Sequence, residues 1–317
     1  MTVLAKEKLC LPVIAGPTAA GKTACAVKLC QMAKGEVISA DSMQVYQGMD
    51  ILTAKPTLEE MGGVAHHLLG VIAPSEKFSA SQYRDRALEA AWDAKKRGFF
   101  PVVCGGTGLY IDALTRPVSF SQKGDAALRE ELDEITNGVD GKHRLHEMLR
   151  AVDPESAEKY HENDVRRVRR ALEIYRLTGR TQAEQARKDK EGDAPCDCVL
   201  FVLDWPRDAL YQRIDARVDV MMREGLVEEV RELMRQQEKH PTAIQAIGYK
   251  EIAAALRGES TIEEAVARVK LATRHYAKRQ MTWFRRDERT IWIPAAGRSA
   301  VDLAGEILER WQKEKGK

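Results

Sequence analysis

Gly16-Pro17-Thr18-Ala19-Ala20-Gly21-Lys22-Thr23 satisfies the pattern G-x-x-x-x-G-K-S/T in full. It lies directly after the short apolar run Leu9 to Ala15 and directly before a helical pattern that runs from about Lys22 to Ala33. In a strand–loop–helix context the two glycines let successive backbone N–H groups turn inward around a phosphate. The helix amino terminus adds partial positive charge, and Lys22 supplies a mobile full charge. Thr23 takes the position that holds Mg²⁺ in such a loop. The loop recognises a diphosphate or triphosphate and leaves open which molecule carries it.

The pattern extends outward from this loop. A second apolar run, Glu36 to Ala40, is closed by Asp41. Ser81 to Arg97 has helical periodicity, and Phe100 to Cys104 reads as a strand running straight into Gly105-Gly106-Thr107-Gly108. Strands alternating with helices predict an α/β fold, a P-loop NTPase-like parallel sheet flanked by helices. After about Arg116 polar helical segments dominate, and a strand returns only at Cys198 to Leu203. A second helical block runs from Pro206 to about Arg286, and Thr290 to Pro294 reads as a final strand. The expected division is a catalytic core of residues 1–116 and 195–317, with a mainly helical insertion domain at 117–194.

Composition narrows the classes. The 317 residues are 44% apolar and 31% charged, and no run approaches the roughly eighteen apolar residues that span a bilayer. Met1 to Lys8 lacks the apolar core of a signal peptide, so a cytoplasmic protein is expected. Cys10, Cys25, Cys30, Cys104, Cys196 and Cys198 read as free thiols. Only Cys196 and Cys198 sit together, with no second pair at zinc-site spacing. The net charge of +2 announces no polyanion partner, so any nucleic-acid site must come from local charge.

In an open parallel sheet, ligands sit beyond the carboxyl ends of the strands. Asp41 is at one such end and Thr107, among small residues, at another. Asp41 has three readings: a magnesium ligand, a general base, or a turn former. Two basic faces follow. Within Asp164 to Leu177, Arg166, Arg169 and Arg170 share one helical face opposite Val165, Val168, Leu172 and Tyr175. These arginines suit either a phosphate backbone or a solvated face paired to acids such as Glu173. On a helix from about Thr261 to Arg286, Lys270, Arg274, Lys278 and Arg285 fall on one side, with Val269, Tyr276 and Trp283 on the core side. Between them Gln245 to Lys250 reads as a loop entering a helix, where Tyr249 either stacks on a base or joins the core.

Several stretches together carry a resemblance. They are Gly16 to Thr23, Ser39 to Tyr46 with Gly48 to Asp50 and Thr53 to Pro56, and Gly105 to Tyr110. Asn163-Asp164 follows, with Arg167 and Arg170 to Glu173, then Ile247 to Tyr249, then Thr273-Arg274 with Ala277 to Gln280 and Thr282-Trp283. In these the chain resembles the bacterial tRNA dimethylallyltransferases over nearly its whole length. The resemblance implies transfer of a dimethylallyl group from dimethylallyl diphosphate to N6 of adenosine 37, beside the anticodon of tRNA. It implies Asp41 as the base, Thr107 holding the reacting groups, and Lys22 with Arg217 on the diphosphate, which Gly16, Pro17, Thr18, Ala19, Ala20, Gly21, Lys22 and Thr23 cradle with Mg²⁺.

The tRNA-contacting positions that the resemblance implies are Asp41, Ser42, Met43 and Gln44, then Arg166, Arg167, Val168, Arg169 and Arg170. They continue with Gln245, Ala246, Ile247, Gly248, Tyr249 and Lys250, and with Lys278, Arg279, Gln280, Met281, Thr282, Trp283, Phe284 and Arg285. Single contacts fall at Thr107 and Arg129. A monomer suffices, since the anticodon stem-loop can be gripped by one chain. The chain departs from the family pattern at Ala20, where Ser is frequent, and in having four arginines within Arg166 to Arg170. Competing readings are a P-loop kinase, a relative that prenylates free AMP or ADP, and a nucleotide-switched binding protein. The last lacks a guanine-reading N-K-x-D.

Overall fold

Residues 8–118, 125–235 and 243–315 are described by the structure, a computed structural model. Most of the amino-terminal stretch read above for a targeting signal lies outside the described residues. The chain divides into two units, Met1–Thr115 with Pro195–Lys317, and Arg116–Ala194.

Among the described residues the first unit contains six strands: β1 (Cys10–Ala15), β2 (Gly35–Ser39), β3 (His66–His67), β4 (Phe100–Gly105), β5 (Asp197–Asp204) and β6 (Thr290–Pro294). They form one all-parallel sheet in the order β3-β2-β4-β1-β5-β6, and the expected last strand joins its edge. The helices in chain order begin with α1 (Lys22–Ala33), α2 (Leu58–Met61), α3 (Ala80–Lys96) and α4 (Gly108–Thr115). The second unit contains α5 (Ala126–Asn137), α6 (Gly141–Val152), α7 (Pro154–Lys159), α8 (Val165–Thr178) and α9 (Gln182–Lys190). After β5 come α10 (Arg207–Arg223), α11 (Leu226–Arg235), α12 (Tyr249–Leu256), α13 (Ile262–Phe284) and α14 (Ala300–Lys315).

The strands are apolar continuously rather than alternately because both sheet faces are covered. Val13, Val103, Leu200 and Val202 pack on one face with Tyr83 and Ala87 of α3 and Ile111 and Leu114 of α4. Ile14, Val102, Phe201 and Leu203 pack on the other with Ala26 and Leu29 of α1 and Ile307 and Trp311 of α14. A third cluster joins Met49 and Leu52, in the segment after β2, to Val218, Val230, Ile252 and Val269 of α10 to α13. The second unit has its own core, in which Leu132, Leu145, Leu149, Val168 and Leu172 meet.

Because every strand points the same way, Gly16, Ala40, Gly105 and Trp205 emerge at one edge of the sheet. Packing there is tight. A methyl group added at Gly105 would lie 2.2 Å from the Ala40 carbonyl oxygen and 2.3 Å from its carbon, and that oxygen already accepts from Thr107 N–H at 3.1 Å. The neighbour is backbone and cannot swing aside. We therefore predict that Gly105→Ala costs about 2 kcal/mol of stability by overpacking, read as a lowered urea midpoint at unchanged m-value. An unchanged midpoint would refute this account of the strand end.

Candidate active site

The loop after β1 is shaped by three residues with left-handed or glycine-type φ: Gly16 at 147°, Ala19 at 62° and Gly21 at 86°. Ala19 carries a Cβ, and its conformation costs about 1 kcal/mol, so the surroundings must hold it. They do so on three consecutive residues. Thr18 N–H donates to Gln280 Oε1 at 2.9 Å, Arg213 Nε donates to the Ala19 carbonyl at 2.8 Å, and Trp205 Nε1 donates to the Ala20 carbonyl at 3.0 Å. The Arg213 guanidinium also lies 4.4 Å from the Trp205 ring centre. These bonds secure the outer side of the loop. At its inner side α1 starts at Gly21 without a side-chain cap, which leaves the first helical N–H groups as anion donors.

One cavity of about 330 Å³ is lined by Lys22, Thr23, Asp41, Arg217 and Tyr276 together with Leu52, Val218, Met221 and Val269. Lys22 Nζ donates to the Pro17 carbonyl at 2.7 Å. Burial lowers its ammonium to about 8, with Cys104 and Asp41 pulling upward and Arg217 adding to the fall. Arg217 Nη2 donates to the Ala54 carbonyl at 3.0 Å, and burial lowers its pKa as well. Asp41 Oδ1 accepts from the Met43 and Gln44 amides at 2.9 and 3.4 Å, which shows the turn-forming reading at work. Its second oxygen has no partner among the described residues.

Thr107 Oγ1 accepts from Ser42 N–H at 3.0 Å and donates toward Ser42 Oγ at 3.3 Å. The Tyr276 side chain stands beside it, and burial raises that phenol to about 12, so it stays protonated. The cavity thus brings together two cations, a carboxylate whose second oxygen has no partner among the described residues, the Ser42 and Tyr276 side chains and an apolar wall, while Thr107, bonded to Ser42, is not among its lining residues.

Residues that sequence reading did not single out support this arrangement. Glu229 of α11 accepts from three successive amides, Asp50, Ile51 and Leu52, at 2.9, 2.8 and 2.7 Å. It thereby fixes the loop whose Ala54 carbonyl holds Arg217. His66 of β3 also lines the cavity; its Nδ1 bonds to the Val64 carbonyl at 2.9 Å, and its Nε2 is buried with no partner. The paired His66-His67 at a strand end was the available signal for the latter. No local signal pointed to Glu229, whose partners lie 177 to 179 residues away.

The implied contact stretches need correction residue by residue. Tyr249 is 3% exposed and belongs to the third core cluster, so its ring is not a stacking platform. Val168, Ala246, Gly248, Gln280, Met281 and Phe284 are also buried, because each lies on the inward side of its helix or turn. Trp283 is not on the core side: it is 41% exposed, with its indole against Gly108. Lys278, Arg279, Thr282 and Arg285 share that exposure, as do Gln245 and Lys250, while Ile247 is half-buried.

The basic side of α13 is also partly neutralised, since Lys270 pairs with Asp219 at 2.5 Å and Arg274 pairs through two nitrogens with Asp215. In the second unit the acid-paired reading holds for Arg169 and Arg170, which converge on buried Glu173 together with Arg129, a position implied only as a tRNA contact, and Arg169 also reaches Asp133. Arg167 pairs with Asp164. Arg166 is exposed and has no acidic partner among the described residues.

A match to the family described as IPP transferase spans residues 44–287. The chain belongs to the IPP transferase family. The phosphate loop lies upstream of the matched span, but relatives cover it. The tRNA dimethylallyltransferase of Halalkalibacterium halodurans is 45% identical over 305 residues, 96% of this chain and 95% of that one. Among solved structures, the full-length tRNA isopentenylpyrophosphate transferase from Bacillus halodurans is 39% identical with a TM-score of 0.71, covering 98% of this chain and 100% of that chain. A eukaryotic dimethylallyltransferase captured acting on tRNA is 31% identical with a TM-score of 0.80, covering 91% of this chain and 74% of its own.

Proposed function

We propose that this IPP transferase moves a dimethylallyl group from dimethylallyl diphosphate to N6 of adenosine 37 in tRNA, giving N6-(dimethylallyl)adenosine. The observation that carries the reading is the single cavity in which Lys22 and Arg217 share walls with Asp41 and with Leu52, Val218, Met221 and Val269. A diphosphate with a short hydrocarbon tail matches both its charge and its apolar side.

In the reaction the bond between the allylic carbon and the diphosphate oxygen breaks, the diphosphate leaves with the electron pair, and N6 bonds to that carbon. Lys22, Arg217 and the α1 amides stabilise the charge that builds on the leaving group. The N6 proton passes to the free oxygen of Asp41. Thr107, held by Ser42, orients the amine.

Among the described residues no three His, Cys, Asp or Glu side chains gather to hold a metal. The donor set suits Mg²⁺ nonetheless, since that ion takes few protein oxygens and completes its shell with phosphate and water. Thr23, whose hydroxyl has no hydrogen-bond partner among the described residues, would hold it with the diphosphate oxygens, where it would neutralise leaving-group charge. No helix among the described residues is long and apolar enough to cross a membrane.

The exposed cations Lys278 and Arg279 on α13, Arg285 at its carboxyl cap, and Arg166 on α8 are the candidates for the phosphates of the anticodon stem-loop. The test supplies Mg²⁺ and labelled dimethylallyl diphosphate with unmodified tRNA or with AMP, and labelled ATP in a parallel reaction. Label is expected in tRNA alone. Label in AMP alone, or phosphate transfer from ATP without prenyl transfer, would overturn the reading.

A further inference from the structure

The three turns of α13 nearest its carboxyl end set three side chains onto one short segment of the site. Tyr276 stands beside the Thr107 side chain. Gln280, one turn on, donates from Nε2 to the Gly106 carbonyl at 2.9 Å while its Oε1 accepts from Thr18 N–H at 2.9 Å. Trp283, a further turn on, lies against Gly108, where an added methyl would come within 2.4 Å of the indole nitrogen. The spacing i, i+4, i+7 puts all three on one helical stripe.

Gln280 differs from its neighbours in what it joins. Its amide is 6% exposed and sits between two backbones, the phosphate loop and the end of β4. A methyl at Gly106 would lie 2.3 Å from Gln280 Nε2 and 3.1 Å from the Gly16 carbonyl, so the glycine is needed to admit the amide. A buried amide is retained where its donor and acceptor are both satisfied, and here the two partners belong to opposite sides of the reaction. Thr18 lies in the loop that holds the leaving group, and Gly106 directly precedes the Thr107 that orients the acceptor.

We propose that Gln280 is a positioning residue for the transfer, which sets the donor loop in register with Thr107 through its two amide bonds, and not a contact to the RNA. The proposal rests on the transfer reaction given above for that site. Removing the amide leaves Thr18 N–H without a buried partner, next to a loop already held in the left-handed region at Ala19. The loop then relaxes, and its amides lose their aim at the diphosphate.

The experiment compares wild type with Gln280→Met, which has similar length and no polar atoms, and with Gln280→Glu, which still accepts from Thr18 N–H but cannot donate to Gly106. Calorimetric titration with inorganic pyrophosphate and Mg²⁺ reads the donor loop without any transfer. Steady-state kinetics then split KM for each substrate. Gln280→Met is expected to weaken pyrophosphate binding about tenfold, the scale of an unmet buried N–H. It should raise donor KM comparably and leave tRNA KM within about twofold.

Gln280→Glu is expected to weaken pyrophosphate at least as much, because its carboxylate adds negative charge beside the phosphate loop, and it keeps the test open if the Met variant does not fold. A raised tRNA KM with wild-type pyrophosphate affinity would overturn the proposal, as would wild-type values throughout. If the wild type fails to prenylate tRNA, the function is refuted while the pyrophosphate comparison remains readable.

Discussion

Asp41→Asn is expected to lower kcat for dimethylallyl transfer about a thousandfold with little change in donor KM. The substitution is chosen because the asparagine carbonyl can still accept from the Met43 and Gln44 amides that Asp41 Oδ1 holds at 2.9 and 3.4 Å. The turn survives, and only the basicity of the second oxygen is lost. An adenine amine becomes acidic only as its bond to carbon forms, so the base acts in the transition state and not in the ground state. A thousandfold loss is about 4 kcal/mol, within the range for a removed general base.

The result also separates the base reading from the metal reading. As a base, Asp41 can be replaced without moving the Mg²⁺ concentration that gives half-maximal activity. As a metal ligand, its loss would be largely recovered by raising Mg²⁺. Full activity of the variant would remove Asp41 from the chemistry altogether.

The parts of this site that could be read from the sequence are those encoded in consecutive residues. The phosphate loop, the strand ending at Asp41 and the Gly105 to Gly108 turn each declare themselves by spacing, because a tight backbone path needs glycines at set positions. The parallel sheet followed from continuous apolar runs, since strands covered on both faces cannot alternate. Arg217 was assigned through the family resemblance alone; nothing in Arg213 to Arg217 distinguishes the arginine that enters the cavity from Arg213, which grips the loop from outside.

The errors share one cause. A helical wheel sorts side chains by angle but does not know what stands opposite. Lys270 and Arg274 were read as an open basic face, yet Asp219 and Asp215 of α10 pair with them from more than fifty residues away. The same wheel puts Trp283 on the core side, but a glycine at 108 gives its ring a surface to lie on, and the residue is 41% exposed. Tyr249 goes the other way, into the core, because the turn at Gly248 directs α12 inward against Leu52 and Val269. Gln280 is polar and buried, which only the two backbone groups on either side of it explain.

Lys22→Met is expected to lower kcat/KM for dimethylallyl diphosphate about a hundredfold, the scale of losing one charged donor to a developing anion in a dry site. Its pH dependence gives the sharper test. In the free enzyme burial brings the Lys22 ammonium down to about 8, so roughly nine in ten molecules carry the charge at pH 7. A bound diphosphate favours the charged form and raises that pKa, so binding takes up a proton above pH 8.

Donor affinity is therefore fully present below pH 8 and declines as pH rises through it, approaching tenfold per pH unit. Tyr276 and Cys104, which share the cavity and are both raised to about 12, stay protonated across this window. The fall in kcat/KM belongs to Lys22 only if it disappears in the variant, whose profile should be flat between pH 7 and 9. A wild-type profile that is itself flat there, or a Met variant that keeps the same decline, would show that the lysine charge is not what holds the leaving diphosphate.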